Sequence, residues 1–181
     1  MDRKRITVSD FIARPTDIWN QQWMLLSAGD FAAKAFNSMT VSWGSMGTMW
    51  GKPFAMCVVR PQRYTREFMD KSDTFTLCVF PESHRKALDV LGSKSGRQID
   101  KMKQSGLTPQ AGSVVAAPVY AEAELAIECR KMYFQDFDPK GFLADYIAPW
   151  YKGDYHRMYF GEIVAIAGTD AYRTRRPLEE A

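Results

Sequence analysis

Two short segments carry residue types that could bind a planar, phosphorylated ligand. Residues 37–44 read NSMTVSWG, with strand-forming residues between small hydroxyl side chains, and residues 60–65 read RPQRYT. The forked guanidinium groups of Arg60 and Arg63 match phosphate oxygens, and backbone N–H groups of a helix starting beside them would add partial positive charge. A solvated surface turn is the alternative for these arginines. Together the segments offer a polar wall and a flat apolar surface for a ring, and a cationic clamp for a phosphate.

The alternation along residues 37–44 would give a strand two unlike faces. One face would carry Met39, Val41 and Trp43, and the other would carry Ser38, Thr40 and Ser42. The row of hydroxyl groups, with Asn37 at its head, suits a ligand that presents carbonyl groups and ring nitrogens along one edge. A polar strand face that meets only water is the alternative.

Residues 44–51 (GSMGTMWG) read as a glycine-spaced loop that carries large apolar side chains. A loop shelters Met46, Met49 and Trp50 poorly, so these side chains would cover a ligand or fill a subunit contact. The alternative is a loop that folds back on the core.

A second basic segment, residues 92–101 (GSKSGRQIDK), combines hydroxyl groups and cations in a loop that enters a helix. Lys101 follows Arg97 by one helical turn, so both side chains could point toward the loop. A solvated helix face is the alternative.

Side chains that perform acid–base or nucleophilic chemistry are sparse. The histidines, His84 and His156, are far apart in the sequence, and neither a Ser-His-Asp arrangement nor a metal-ligand spacing accompanies them. His156 is interpreted as a hydrogen-bonding residue at the edge of a strand. Redox or transfer chemistry would therefore come from a cofactor.

The composition is typical of one globular domain. The 181 residues, 46% hydrophobic and 25% charged, can bury a core without a disulfide or a metal, so we expect a single domain over residues 1–181. The net charge of +3 suits a small anionic ligand and gives no electrostatic case for nucleic acid. Cys57, Cys78 and Cys129 are widely spaced in apolar contexts, which predicts buried thiols. Without a signal-peptide core or an uninterrupted apolar span, the sequence predicts a soluble, cytoplasmic protein with no membrane contact.

Short runs rich in Val, Phe, Met and Leu, each bounded by turn residues, predict strands. The runs are residues 23–27, 39–43, 54–59, 74–80, 123–129 and 158–167. Helices are predicted at residues 65–71, 83–91, 98–104 and 140–146, with Thr65, Ser83 and Asp138 as N-caps. The alternation in residues 123–129 indicates one solvent-facing side. Many short strands with helices inserted between them predict a small antiparallel barrel rather than a doubly wound sheet.

In this order, the segments resemble the flavin reductase-like, FMN-binding split-barrel proteins, most closely the flavoredoxin branch. The matching pieces are NSMTVSWG, WGKPFAMCVVRPQRYT, FTLCVF, SGRQIDK, ECR and FGEIV, which together span residues 37–172. The resemblance implies a mainly β, Greek-key split barrel with inserted helices. It also implies a homodimer that holds FMN at or near the subunit interface.

The resemblance gives expected roles to individual residues of this chain. The isoalloxazine edge and ribityl chain would be contacted by Asn37, Met39, Thr40 and Ser42, with Trp43 lining the flavin and Gly44 closing the segment. The phosphate would be bound by Arg60, Arg63, Tyr64 and Thr65, while Lys101 would lie near the flavin and Tyr172 would add a late aromatic contact. The histidine that flavoredoxins use after the ECR stretch has no counterpart in residues 131–138 (KMYFQDFD).

These expectations describe an FMN-binding redox protein that passes on electrons from NAD(P)H or from a protein donor. A loosely held flavin would make it a reductase, and a tightly held flavin would make it an electron carrier. No GxGxxG element marks a nicotinamide site, so the sequence leaves the donor open. The alternatives are a non-enzymatic barrel that binds another flat ligand such as haem, and a structural barrel whose flavin site has decayed. Arg173, Arg175 and Arg176 are interpreted as a solvated tail.

Overall fold

The computed structural model describes residues 1–174, and an antiparallel β-sheet organises them. The strands are β1 (Lys4–Arg5), β2 (Met24–Asp30), β3 (Ala35–Val41), β4 (Gly44–Met49), β5 (Lys52–Val59), β6 (Thr74–Val79), β7 (Pro109–Gln110), β8 (Val119–Tyr120), β9 (Leu125–Asp136) and β10 (Arg157–Gly168). The main sheet has the order β3-β2-β6-β9-β10-β5-β4, with β1 paired to β10, while β7 and β8 form a separate ladder. The predicted mainly β, antiparallel architecture is confirmed, and every predicted strand run overlaps a strand.

The sheet separates two apolar cores, because neighbouring residues of its strands point to opposite faces. The larger core contains Met24, Leu26 and Leu77 on one side, whereas Leu25 and Cys78 belong to the smaller core on the other side. The smaller core is closed by the helix α2 (Arg85–Ser93), whose Ala87, Leu88 and Leu91 are buried. The cysteines are free and buried as predicted, with Cys57 and Cys129 in the larger core and Cys78 in the smaller one.

The long strands β9 and β10 form the centre of the sheet, and their pairing is irregular near Gly161. A Cβ atom at Gly161 would come within 2.6 Å of the Phe75 ring, so only glycine allows that close approach. The predicted solvent-facing side of β9 is wrong at Glu128. This carboxylate is buried, and both of its oxygens accept hydrogen bonds from the backbone N–H groups of Ser113, Val114 and Val115.

Two predicted N-caps are wrong. Helix α1 spans Thr65–Lys71 as predicted, but Thr65 is its first helical residue and its hydroxyl group accepts a hydrogen bond from Asn37 instead. Ser83 lies within a 3₁₀ turn, Glu82–His84, that precedes α2. In both places a tertiary contact or an extra turn replaces the local capping bond.

The last two predicted helices are shorter than expected. Helix α3 spans only Lys101–Ser105, because Asp100 caps it by accepting a 3.0 Å hydrogen bond from the Lys103 N–H and Gly106 ends it at φ +69°. The helix expected at residues 140–146 is wrong. Asp138 caps only a single 3₁₀ turn, Pro139–Gly141, whose proline and glycine disfavour continuation.

The glycine-spaced loop expected at residues 44–51 is also wrong, because most of it is the edge strand β4, paired along its length with β5. Trp50 and Gly51, both at positive φ, form the turn between the two strands. Gly44 begins β4 beneath Trp19, whose ring would lie 2.5 Å from a Cβ atom at that position. Glycine thus lets the buried Trp19 pack directly on the strand.

Within residues 1–174 no helix is long and apolar enough to cross a membrane. Arg173 is exposed and forms a β-bridge with Phe11, while Arg175 and Arg176, interpreted above as a solvated tail, lie outside the described residues.

Candidate functional site

Two adjoining cavities bring the arginine segment and the NSMTVSWG segment together. The basic cavity has a volume of about 390 Å³ and is lined by Met39, Arg60, Gln62, Arg63, Tyr64, Thr65, Ser93, Lys94, Ser95 and Lys101. The aromatic cavity has a volume of about 140 Å³ and is lined by Met39, Thr40, Val41, Ser42, Trp43, Arg60, Arg63, Trp150 and His156. Because Met39, Arg60 and Arg63 belong to both, the cavities form one continuous candidate site at the end of β3 and β5.

Lys101 is a buried cation in the wall of the basic cavity. Lys101 is the first residue of α3 and is only 4% exposed. Its Nζ donates a 3.3 Å hydrogen bond to the Leu91 carbonyl oxygen. Among residues 1–174 no carboxylate lies within ion-pairing distance of this ammonium group. Burial, together with the neighbouring charge of Arg63, lowers the Lys101 pKa from 10.5 to about 8. The ammonium group is thus mostly charged at pH 7 and keeps donors for a further partner.

Arg63 adds a second cation without a carboxylate partner in the described part of the chain. It lies in the turn between β5 and α1, where its N–H donates to the Arg60 carbonyl oxygen at 3.1 Å. Its Nη1 donates to the Gly92 carbonyl oxygen at 2.5 Å, which ties the turn to the end of α2. Burial and the nearby Arg60 lower the Arg63 pKa. The buried Lys101 and the half-buried Arg63 therefore face the same cavity.

Arg60 has a different environment, because it is paired with the connection between β9 and β10. We call this connection, residues 137–156, the strap. Arg60 Nη1 lies 2.7 Å from Asp154 Oδ2, and Nη2 donates to the Trp150 carbonyl oxygen at 2.9 Å. Gln62 Nε2 donates to the same Asp154 oxygen at 2.9 Å. The Lys152 N–H, Gln62 and Arg60 hold the pKa of the Asp154 carboxyl group well below its usual value. Sequence reasoning did not identify Asp154.

Aromatic side chains of the strap close the aromatic cavity over Trp43. The Trp150 ring meets Trp43 edge-on at 5.5 Å between centroids, and the His156 ring lies 5.1 Å from Trp43. Trp43 itself remains 40% exposed, so the cavity opens to solvent beside its ring. The sequence prediction placed Trp43 here, but it missed Trp150.

His156 is buried at the start of β10 and is uncharged at neutral pH. Its Nδ1 lies 2.9 Å from the Tyr151 hydroxyl group, and burial together with the charges of Arg60 and Arg63 lowers the His156 pKa from 6.5 to about 4. The residue lies at a strand edge and is hydrogen-bonded, as interpreted from the sequence, but it also lines the aromatic cavity. The other histidine, His84, lies against Phe80 at 6.1 Å between ring centroids, outside the linings of both cavities.

The predicted row of hydroxyl groups does not face the site as a row. Ser38 is fully buried and hydrogen-bonds with Ser27 and the Tyr120 hydroxyl group, and Thr40 Oγ1 donates to the Leu88 carbonyl oxygen at 2.5 Å. The hydroxyl groups of Ser38 and Thr40 therefore have protein partners, on β2, β8 and α2. Thr40 and Ser42 still line the aromatic cavity.

Three of the residues expected to bind cofactor do not line either cavity. Asn37 lines a third cavity of about 650 Å³, which shares Tyr64 and Lys101 with the basic cavity, and its Oδ1 lies close beneath Gly96. Gly44 packs against Trp19, and Tyr172 lines a separate cavity of about 410 Å³ beside the N-terminal arm. In the second basic segment, Arg97 pairs with Glu67 and lies over the Tyr64 ring. Because α3 begins only at Lys101, Arg97 lies outside the helix and the two side chains do not share a helical turn.

The comparisons with known proteins fit this arrangement. Residues 20–178 match the model of the flavin reductase like domain family. Among solved structures, a flavoredoxin from Methanosarcina acetivorans is 23% identical with a TM-score of 0.67, covering 97% of this chain and 80% of its own. The flavoredoxin of Desulfovibrio vulgaris (Miyazaki F) is 21% identical with a TM-score of 0.64, covering 93% and 78%. An FMN-binding domain of a flavin reductases-like enzyme from Shewanella baltica is 16% identical with a TM-score of 0.67, covering 92% and 77%. No curated protein matches the chain.

The chain therefore belongs to the flavin reductase-like domain family. Its fold is the mainly β split barrel of that family, as the resemblance implied, and its neighbours include flavoredoxins and FMN-binding proteins.

Proposed function

We propose that this protein binds FMN in the two adjoining cavities and acts as a flavin-dependent redox protein. The phosphate would lie in the basic cavity and the isoalloxazine ring would lie along Trp43 in the aromatic cavity. The observation that carries the proposal is Lys101, a buried ammonium group without a carboxylate partner in residues 1–174, beside the similarly unpaired Arg63. A buried cation is costly unless an anion completes its environment.

The charges around the basic cavity suit a phosphate monoester. Arg60, Arg63, Lys94 and Lys101 give the basic cavity four positive charges, and Asp154, behind Arg60, supplies one negative charge, so the local charge is positive. A phosphate monoester carries about −1.5 to −2 charges at pH 7. Guanidinium groups also match its oxygens geometrically, and Thr65 and Ser95 add hydroxyl groups to the same wall. The residues present therefore fit the phosphate of FMN.

The aromatic cavity supplies what a ring system needs. Trp43 and Trp150 provide flat apolar surface, and the neutral His156 provides a ring nitrogen that is not held by Tyr151. When bound, FMN would supply the electron-transfer chemistry, as cofactors do in proteins whose own side chains are sparse in acids and bases. The protein would bind and orient the flavin, while the opening beside Trp43 would admit an electron donor.

The electron donor would be NAD(P)H or a redox protein. Two measurements test the bound flavin and then its donor. We expect the purified protein to show the two near-UV and blue absorption bands of flavin, or to quench the fluorescence of added FMN on titration. A colourless protein that does not bind added FMN would overturn the proposal, and a Soret band would favour haem. Anaerobic bleaching of the bound flavin by NADH or NADPH would identify a reductase, whereas no bleaching with either would favour an electron carrier.

We also propose that the protein forms a homodimer through the outer face of β4, β9 and β10. Trp50 and Tyr133 are 64% and 42% exposed, and each contacts the Phe160 ring. We call these three residues the aromatic patch. Contiguous exposed aromatic residues usually mark an interaction surface, and a second copy of the chain can match such a patch about a two-fold axis. The cytoplasmic location stays a prediction, which cell fractionation would test.

A further inference from the structure

Besides closing the aromatic cavity, the strap contacts Arg60 through several of its residues. Asp154 and the Trp150 carbonyl oxygen accept hydrogen bonds from Nη1 and Nη2, at 2.7 and 2.9 Å. The Tyr151 ring also lies against the guanidinium group, 5.3 Å from its carbon atom to the ring centroid. Residues 90 and 94 positions away in the sequence thus fix the Arg60 side chain, which lines both cavities.

Asp154 holds Arg60 from outside the site. Arg60 lines both the basic and the aromatic cavity, whereas Asp154 lines neither of them. A guanidinium group has five N–H donors, and the strap occupies only one on each Nη atom. The remaining donors, including Nε–H, are free for a ligand. Gln62 donates to the same Asp154 oxygen at 2.9 Å, and the Lys152 N–H donates to the other at 2.9 Å, so the carboxylate is itself fixed.

Two roles are open to a carboxylate in this position, and the charges separate them. If Asp154 competed with a phosphate for Arg60, the ligand would have to break a pair that is about three-quarters buried on both sides. If Asp154 stays in place, the four cations of the basic cavity still outnumber the one carboxylate and leave a net positive charge for a phosphate dianion. Retention of the pair therefore costs less and still leaves a site that attracts the ligand.

We propose that Asp154 is a positioning residue that aims Arg60 at the phosphate of the flavin, so that a residue outside the cavities controls discrimination between FMN and riboflavin. This inference rests on the proposed FMN site. Riboflavin carries the same ring and ribityl chain without the phosphate, so it reports on every part of the site except the part that Arg60 would serve.

The test compares FMN and riboflavin binding to wild-type protein and to Asp154→Asn, by fluorescence titration at constant ionic strength. We expect FMN affinity to fall about ten-fold, as for a misaligned charge-assisted hydrogen bond, while riboflavin affinity changes less than about two-fold. The matched control is Asp145→Asn, an exposed carboxylate of the same strap, which should change neither affinity. Unfolding curves of all variants check that the strap substitution leaves the fold intact.

A double-mutant cycle with Arg60→Gln shows whether Asp154 acts through Arg60. We expect Asp154→Asn to have little further effect on FMN affinity once Arg60 is replaced, whereas independent roles would give additive losses. Equal losses for FMN and riboflavin would mean a purely structural role, and tighter FMN binding by Asp154→Asn would mean competition; either result overturns the inference. If wild-type protein binds riboflavin and FMN equally, the phosphate site fails as well, and if it binds neither, the proposed function fails.

Discussion

The Asn37 side-chain amide donates a 2.7 Å hydrogen bond to the Thr65 hydroxyl group, and both residues are buried. This bond joins the strand that leads to Trp43 with the first turn of α1, which follows directly after Arg63. The two sequence segments that suggested a ring-binding and a phosphate-binding half are therefore coupled by a side-chain contact as well as by the cavities between them.

Replacement of Thr65 by valine should destabilise the protein by about 1–3 kcal/mol, because it leaves the buried Asn37 amide without its partner. Urea unfolding of the ligand-free protein measures the effect. Thr48→Val is the matched control, since Thr48 lies exposed on the edge strand β4 and should change stability by less than about 0.5 kcal/mol. Equal effects of the two substitutions would show that the Asn37–Thr65 bond contributes nothing.

FMN affinity should decrease as the pH rises through about 8, because the free protein then loses the Lys101 proton and with it a positive charge in the basic cavity. Bound phosphate favours the charged ammonium group, so binding at high pH requires uptake of a proton. Lys101→Met should weaken FMN binding at pH 7 and remove this decrease. Isothermal titration from pH 7 to pH 10 measures both effects.

The same group affects the stability of the ligand-free protein with the opposite sign. Between pH 8 and 10.5 the unfolded chain binds the Lys101 proton more tightly than the folded chain, so stability should rise with pH across this window. In Lys101→Met this rise should be absent.

A pH-independent FMN affinity in wild-type protein would contradict a role for the Lys101 charge. Lys103→Met, on the exposed side of α3, provides the control.

His156 should make the protein less stable in acid. Its pKa is about 4 in the folded protein and 6.5 in the unfolded chain, so the unfolded chain binds more protons as the pH falls from 6.5 to 4. Thermal unfolding across this range should show a smaller loss of stability in His156→Gln than in wild-type protein. The control variant is His84→Gln, outside the two cavities. If His156 causes the loss of stability between pH 6.5 and 4, His84→Gln should lose as much stability as wild-type protein.

Replacement of Trp50 by lysine should shift the protein from dimer to monomer, because it places a charge in the centre of the aromatic patch. Light scattering at micromolar concentration measures the mass. Val114→Lys is the control, since Val114 is similarly exposed, at 58%, but lies outside the patch. A monomeric wild-type protein under these conditions would count against the dimer, and a dimeric Trp50→Lys would count against this interface.

The strands could be predicted because their residues are β-branched or aromatic and are bounded by turn residues, which are local properties. The arginine segment could be predicted because two guanidinium groups close together in the sequence stay close in the fold. Asp154 and Trp150 could not be predicted, because they reach Arg60 from a strap without periodic pattern, 94 and 90 residues away. Their positions depend on the pairing of β9 with β10.

The wrong predictions have a common physical origin. A polar residue on a strand gives the same sequence pattern whether its side chain contacts water, a ligand or another part of the protein. Ser38 and Glu128 were expected to face solvent or a ligand, but each is buried with complete hydrogen bonding from other segments. Gly44 suggested a loop because glycine weakens strands, whereas here it makes room for Trp19. Each of these outcomes is decided by a tertiary partner.

The division of the cysteines between the two cores makes the protein suitable for thiol pulse-labelling. Burial raises the pKa of both Cys57 and Cys78 to about 12, so neither thiol is reactive until the sheet opens locally. Cys57 lies in the larger core and Cys78 lies beneath α2 in the smaller one. The order in which an alkylating reagent modifies them would therefore record which side of the sheet opens first.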